Sequence, residues 1–291
     1  LVIETVSGLS WDEFIRQRIF EPLGMTDSVT NPRFFGEKKN IATPHEDIKS
    51  KLQTVVQRED AHIGAAGSIH ASVSDIAQWL KMQLNRGSID GKQLVESAII
   101  EETHTSHTTI RLTAIERKLF PSRHFSAYGL GWFLSDFHGK YIVRHTGGVD
   151  GMLSSVVLIP EEKLGMAIFT NKLPNFAYVA LSHYLTEKLI DAPVQDWIQL
   201  YTDLDKEENA KAEESKKKRV DSRAKDTRPS FEIKKYAGDY DSLILGGASL
   251  SAEGGGLHIQ LQAHESISGT LEHWHYDTFL CKWNDPVLGE S

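Results

Sequence analysis

The stretch that most restricts the fold is Tyr141–Asn171, YIVRHTGGVDGMLSSVVLIPEEKLGMAIFTN. It holds three runs rich in Val, Ile, Leu and Phe: Tyr141–His145, Leu153–Ile159 and Leu164–Thr170. Such runs, bounded by Gly and Pro, read as β-strands. The last two are joined by Pro160–Lys163, a short polar turn that predicts an antiparallel hairpin. The first two are joined by a loop containing Gly147, Gly148 and Gly151. At the end of the first strand stands His145-Thr146-Gly147-Gly148, an imidazole and a hydroxyl beside two residues without side chains. Glycine there either lets another molecule approach the backbone or supplies φ > 0 for a turn. Taken alone, the commoner meaning is a polar strand end entering a tight turn.

The rest of the chain supports an α/β (α+β) protein. Val2, Ile3 and Val6 form an apolar stripe that Ser7-Gly8 interrupts. Ser10 and Glu13 have capping-box spacing and start a helix carrying Trp11, Phe14, Ile15 and Ile19, which Pro22–Met25 ends. Residues 26–62 read as largely irregular. Gly64–Ser68 is a second small-residue stretch. Ser72 caps a helix with Ile76, Trp79, Leu80 and Leu84 on one side, and a further helix is expected around Gln93–Glu102. Residues 103–127 carry no clear pattern. A strand over Tyr128–Leu134 makes Tyr128–Thr170 four antiparallel strands, and Asn175–Ile190 follows as a helix. From Asp203 to Arg228, nine basic and eight acidic residues stand among 26, a solvated helix or linker. After Pro229 short β runs alternate with glycine-rich turns, as in a small all-β, barrel-like domain. The expected division is therefore residues 1–200, a charged segment over 201–229 and a β domain over 230–291.

Composition excludes some functions. A charged fraction of 25% and a hydrophobic fraction of 40% are those of a globular protein. The net charge of −8 argues against a nucleic-acid partner. No apolar run is long enough to span a bilayer as a helix. Cys281 is the single cysteine, so neither an internal disulfide nor a cysteine zinc cluster is available. The chain opens on Leu1 without an initiator Met and shows no signal peptide. Both ends are expected to be cut relative to the natural protein.

In this order the motifs resemble the serine β-lactamase-related family, which includes class C β-lactamases, low-molecular-weight penicillin-binding proteins, D-aminopeptidases and esterases. Ile19-Phe-Glu-Pro-Leu-Gly-Met25 resembles its IF-PLGM segment. Gly67-Ser68-Ile69 with Ser74-Asp75 resembles its helix entry, and Tyr128-Gly-Leu-Gly-Trp132 its YG-GW strand. His145-Thr146-Gly147-Gly148 with Gly151, Ile159-Pro160 and Asn171 resembles its C-terminal half. These cover about residues 1–190, and the β tail from Phe231 resembles a domain often attached to the family. The resemblance implies a β-lactamase/transpeptidase-like antiparallel sheet flanked by helices. It also implies an acyl-enzyme mechanism, with a serine in Ser-x-x-Lys activated by that lysine and by a tyrosine in Tyr-x-Asn.

Carried over by motif, His145 orients the network around that tyrosine and the substrate. Thr146 hydrogen-bonds a carboxylate or carbonyl of the substrate, and Gly147 leaves room for it along the strand. The Gly148 N–H forms half of an oxyanion hole. Asp150 is a substrate-positioning candidate or a turn aspartate. The departure is the nucleophile. Ser215-Lys-Lys-Lys218 and Ser222-Arg-Ala-Lys225 both fall in the charged segment, and no Tyr-x-Asn occurs. The expectation is a fragment that keeps one wall of the site and does not turn over substrate alone.

The site residues carried into the structure are therefore His145 and Gly148 as catalytic, and Thr146, Gly147 and Asp150 as substrate-binding, with no cofactor and no metal. His104/His107 and His273/His275 each lack a third ligand at a recognisable spacing and read as surface or packing histidines. Trp132 reads as core and Cys281 as a half-buried thiol. Histidine in place of the family's lysine removes a permanent charge, which favours a peptidase or esterase over a true β-lactamase. The expected partner is a small-molecule or peptide substrate. The rival is a non-catalytic binding protein with the same groove. Export is implied by family analogy alone, and oligomeric state is not legible.

Overall fold

The computed structural model describes residues 1–36, 38–48, 51–58, 64–244, 246–264 and 267–289. The chain divides into two compact units, Leu1–Asp203 and Leu204–Ser291. The first begins with α1 (Val2–Ser7) and α2 (Trp11–Ile15). The predicted stripe on α1 forms, but Val2 and Val6 remain exposed. On α2 half of the predicted capping box forms. Ser10 Oγ accepts from the Glu13 N–H at 3.2 Å, while the Glu13 carboxylate accepts from Arg16 and Gln17 instead. The chain then widens into a π turn over Arg16–Phe20 and ends in α3 (Glu21–Leu23). That path buries Phe20, Leu23 and Met25 against Met82, Ile89 and Ile100.

The segment expected to be irregular contains a hairpin, β1 (His45–Ile48) with β2 (Lys51–Thr54). Its sequence is polar and β2 is exposed throughout, so no apolar alternation announces it. Long-range backbone bonds hold it: Leu173 N–H to His45 O at 2.9 Å and Asp47 N–H to Leu173 O at 3.2 Å. Part of that expectation, residues 37, 49–50 and 59–62, lies outside the described residues.

Gly64–Gly67 forms one turn, α4, and Val73–Leu84 forms α5, capped by Ser72 Oγ as predicted. Asp75 in its first turn is buried and accepts from the Asp27 N–H and the Ser28 hydroxyl, both at 2.8 Å. A small hairpin follows, β3 (Ser88–Ile89) with β4 (Lys92–Gln93). The helix expected from Gln93 is therefore α6, Ser97–Thr103: Gln93 belongs to the hairpin, and its side chain donates to Arg86 O at 2.8 Å. In the stretch without pattern lie β5 (Thr108–Thr109) and α7 (Ala114–Leu119).

The predicted strand over 128–134 is corrected to two strands. β6 (Ser126–Tyr128) turns through Gly129–Trp132 into β7 (Phe133–Phe137). Then come β8 (Lys140–Val149), β9 (Met152–Ile159) and β10 (Leu164–Thr170). The sheet order is β10-β9-β8-β7-β6-β5, antiparallel throughout. Its strands read as continuous apolar runs because both faces are covered. Val143, Leu158 and Leu134 face Leu80 of α5. Their chain neighbours Ile142, Val157 and Ile159 point the other way, as a pleat of period two requires. They meet Phe120, Ala180 of α8 (Ala177–Leu189) and Trp197 of α9 (Trp197–Asp221). Burying each such side chain contributes roughly 1.5–3 kcal/mol.

Trp197 also binds the fully buried Glu187 carboxylate, which accepts its Nε1–H at 2.6 Å and the Gln195 N–H at 2.9 Å. The charged segment placed at 201–229 is thus largely helix, beginning at the buried Trp197. In the second unit β11 (Gly238–Ser242), β12 (Gly246–Glu253), β13 (Gly256–Leu261), β14 (Ser268–His275) and β15 (Thr278–Trp283) form an antiparallel sheet in chain order. Among the described residues its first and last strands do not pair, so the expected barrel-like domain is an open meander.

Candidate active site

The site is built on the second half of β8. β7 reaches β8 only as far as the pair Phe133↔Arg144, whereas β9 follows it to Val149↔Met152. Residues 145–149 therefore have a strand on one edge only among the described residues. The β8–β9 loop is two residues, Asp150 at φ 39° and Gly151 at φ 71°, the type I′ pattern favoured by strand twist. A two-residue loop is closed by a pair that exchanges both backbone hydrogen bonds, and such pairs alternate along the ladder. Val149, Gly147 and His145 accordingly bond to β9, and Thr146 and Gly148 direct their N–H and C=O to the opposite, open edge.

Glycine is required at one position here and eases packing at another. A Cβ on Gly151 would lie 2.6 Å from His45 N, so the hairpin end closes against β1 only with glycine. A Cβ on Gly147 would lie 2.7 Å from Ser154 Oγ. Gly147 and Gly148 leave a bare, exposed backbone.

His145 is held by two contacts. Its Nδ1 lies 2.6 Å from the Thr146 carbonyl oxygen and its Nε2 3.1 Å from the Tyr128 hydroxyl. A carbonyl only accepts, so Nδ1 donates to it, and Nε2 is left to the Tyr128 hydroxyl. The Phe133 ring lies 5.4 Å from the imidazole and 4.7 Å from the Tyr128 ring. Sequence reasoning did not pair Tyr128 with His145. The available signal was the YG-GW motif, whose Tyr ends one strand just before the turn into the next.

Asp150 sits at the turn, where Oδ2 accepts from the Arg58 N–H at 2.7 Å and Oδ1 lies 3.6 Å from Arg58 Nη1. Its carboxylate therefore ties residue 58 to the end of β8, beside a small cleft lined by Val149, Ser68 and His70. Thr146 is opposite Ser155 in the ladder and half-buried.

The other sequence candidates lie apart from this edge. His104 Nε2 is 3.1 Å from Gln83 Oε1, and burial lowers its pKa. His107 pairs with Glu102 at 3.1 Å. His273 meets Tyr276 O at 2.8 Å, and His275 Nδ1 accepts from the Ala224 N–H at 3.3 Å. Among the described residues no group of three His, Cys, Asp or Glu could hold a metal. Trp132 is buried in the core. Cys281 is buried, and burial pushes its thiol pKa up. Ser215 and Lys218 are exposed on α9, with Lys218 Nζ 2.7 Å from Glu214. Ser222 and Lys225 are exposed just beyond it.

Residues 1–189 match the family model described as Beta-lactamase. The chain belongs to the beta-lactamase family. Residues 222–290 match a second model, Domain of unknown function (DUF3471). Unguisins hydrolase ungD′ of Aspergillus campestris is 29% identical over 257 residues, covering 82% of this chain and 45% of that protein. Protein flp of Staphylococcus aureus is 24% identical over 192 residues, covering 64% of this chain and 34% of that protein. The chain thus spans less than half the length of these curated relatives. The octameric penicillin-binding protein homologue from Pyrococcus abyssi shares the fold, with a TM-score of 0.58 at 23% identity over 97% of this chain and 55% of that one. Among the described residues no helix is long and apolar enough to cross a membrane.

Proposed function

We propose that the protein is a serine hydrolase of the beta-lactamase family, acting through an acyl-enzyme on amide or ester substrates. The observation that carries this reading is the open edge of β8, with the Gly148 N–H directed along it beside His145. A serine Oγ attacks the substrate carbonyl carbon, and the carbonyl electron pair moves onto oxygen. The Gly148 N–H donates to that oxyanion, and in such sites loss of one donor lowers the rate about 10²–10³-fold. The C–N or C–O bond then breaks, the leaving group takes a proton, and water releases the acyl group. Thr146 binds the substrate along the open edge as it would an added strand, and Gly147 leaves room for it beside the backbone. His145, held between Thr146 O and the Tyr128 hydroxyl, orients that edge without the permanent charge a lysine brings. This favours peptidase or esterase chemistry over hydrolysis of an anionic β-lactam. Asp150 acts indirectly, by holding the turn that fixes the edge.

The nucleophile is proposed to come from outside these residues. Lys218 and Lys225 are exposed, without the burial that equips a lysine to act as a base. The chain's 45% share of its fungal relative leaves room for another source. The test compares this chain with a protein of its relatives' full length on nitrocefin, D-amino-acid amides and p-nitrophenyl esters, with mass spectrometry of the acyl adduct. Turnover of amides or esters by the longer protein alone, with the adduct outside residues 1–291, is expected. An adduct on a serine of this chain, or a strong preference for nitrocefin, overturns the proposal. Peptide binding without turnover by the longer protein replaces it with a binding function.

A further inference from the structure

The half-buried Tyr128 lies two strands away from His145 and reaches it because β7 begins only at Phe133. In the sheet register Tyr128 of β6 stands opposite Phe133, and Phe133 opposite Arg144 of β8. One residue further along β8, His145 has no β7 partner. The chain before Phe133 turns away through Gly129–Trp132, closed by Gly129 N–H to Trp132 O at 2.8 Å. The Tyr128 phenol crosses that gap, and its oxygen lies 3.1 Å from His145 Nε2.

The backbone of Tyr128 is fixed on its far side. Thr108 of β5 pairs with it, and its carbonyl accepts from the His107 N–H at 3.0 Å. The next residue is held as closely: a Cβ on Gly129 would lie 2.3 Å from Thr103 O, and Leu130 N–H donates to that oxygen at 3.0 Å. The phenol ring stands edge-on to Phe133 at 4.7 Å. A phenylalanine would pack there equally well, so packing leaves the hydroxyl unexplained. Among the described residues that hydroxyl bonds to His145. As donor and acceptor in one group, it suits Nε2 whether the ring is neutral or protonated.

His145 passes the restraint on. Its Nδ1 lies 2.6 Å from the Thr146 carbonyl oxygen, on the edge that β7 leaves open. A strand paired there would restrain that peptide group, and the imidazole does so in its place. The restraint matters because Gly147 and Gly148 follow, exposed and without side chains to limit their φ and ψ. A hydrogen-bond donor stabilises a developing oxyanion only when it is held in place beforehand. Tyr128, His145 and the Thr146 carbonyl form a chain of contacts from the β5–β6 side of the sheet to the peptide unit next to the Gly148 N–H.

We propose that Tyr128 is a positioning residue for the acyl-transfer site, acting through His145 to hold the β8 edge in the geometry that presents the Gly148 N–H. This rests on the reading of that edge as the oxyanion wall, and adds a residue that works at one remove from the substrate.

Two measurements test it. In the 291-residue chain, ¹⁵N spectra of the histidine rings at alkaline pH, where imidazole is uncharged, read the hydrogen bond directly. The parent should show His145, assigned by its loss in His145→Ala, locked in one tautomer with a protonated Nδ1 and a hydrogen-bonded Nε2. Tyr128→Phe should shift the Nε2 resonance and lower the backbone order of Gly147 and Gly148. Averaged ring shifts in the parent, as for imidazole free in water, overturn the proposal without recourse to a variant. So does an Nε2 resonance unmoved by Tyr128→Phe. In a protein of the relatives' full length, Tyr128→Phe should lower kcat/KM on an amide or ester about tenfold. In the His145→Ala background the same change should lower it no further, because a residue acting through His145 has no route left. Full activity in Tyr128→Phe, or losses that multiply in the double variant, overturn the proposal. Failure of the acyl-transfer reading looks different: the longer parent then turns nothing over although the ring spectra show His145 locked, and the positioning role falls with it.

Discussion

The two halves of β8 share a backbone and differ in their neighbours. Lys140–Arg144 is paired to β7 throughout, Val143 and Arg144 are paired to β9 as well, and Val143 is wholly buried between β7 and β9. Residues 145–149 are paired on one edge, and Gly147 and Gly148 are exposed. The first half is committed to the ladder on its β7 side. The second keeps alternate N–H and C=O groups for something else. The lesson is that the open edge is made by where β7 begins, at Phe133. The half paired to β7 supplies the rigidity that a positioned donor needs.

Four measurements probe that contrast. Leu158→Ala empties the space opposite Val143 and should destabilise the first unit by about 2–5 kcal/mol in urea unfolding. A loss below about 1 kcal/mol would mean that the half paired to β7 is not the anchor. Gly151→Ala forces a side chain into φ 71° against His45 and should remove about 1–3 kcal/mol. Hydrogen exchange should then show β1 and β2 opening before the core of β8.

The third is a pH effect beneath the paired half. Burial, then the charges of Arg144 and Arg123, push the His183 pKa down to about 3. The unfolded chain takes up a proton near pH 6.5, and the folded one does not until about pH 3. His183 therefore contributes full stability above pH 6.5 and loses it as pH falls, by about 1.4 kcal/mol per unit, until the folded group titrates. His183→Phe should remove that portion of the slope, and an unchanged slope would show His183 to be solvated. The smallest effect on stability is expected on the open edge. His145→Ala should change stability by less than about 1 kcal/mol, yet lower kcat/KM of a full-length protein about 10²-fold or more. Equal losses of stability and activity would make His145 a packing residue.

Much of this was legible before any coordinates. The runs Leu153–Ile159 and Leu164–Thr170 are strands β9 and β10 to within a residue, because alternate residues meet two cores and the turns carry their own chemistry. The β runs after Pro229 likewise fall on β11–β15. Local signals sufficed there, since each strand pairs with its sequence neighbour. They failed where distant chain decides. β1 and β2 are polar and depend on Leu173. Tyr128–Leu134 reads as one apolar strand, but the backbone turns at Gly129–Trp132 so that Trp132 can enter the core. The charged segment conceals a helix anchored by Trp197 on Glu187, a contact no periodicity reveals.

The candidate site divides in the same way. Sequence alone identified His145, Thr146, Gly147 and Gly148 as a group, because glycines after a polar strand end, in the order of the other motifs, restrict what the backbone can present. It placed Gly147, Gly148 and Gly151 together in a loop, whereas β8 runs on to Val149 and only Gly151 of the three lies in the turn. Only the tertiary structure decided which edge of β8 is open, that Tyr128 meets His145, and that Asp150 is committed to Arg58. Those depend on strand register and on contacts between residues far apart in the chain. Periodicity reports which way a side chain points, and it carries no information about what stands opposite.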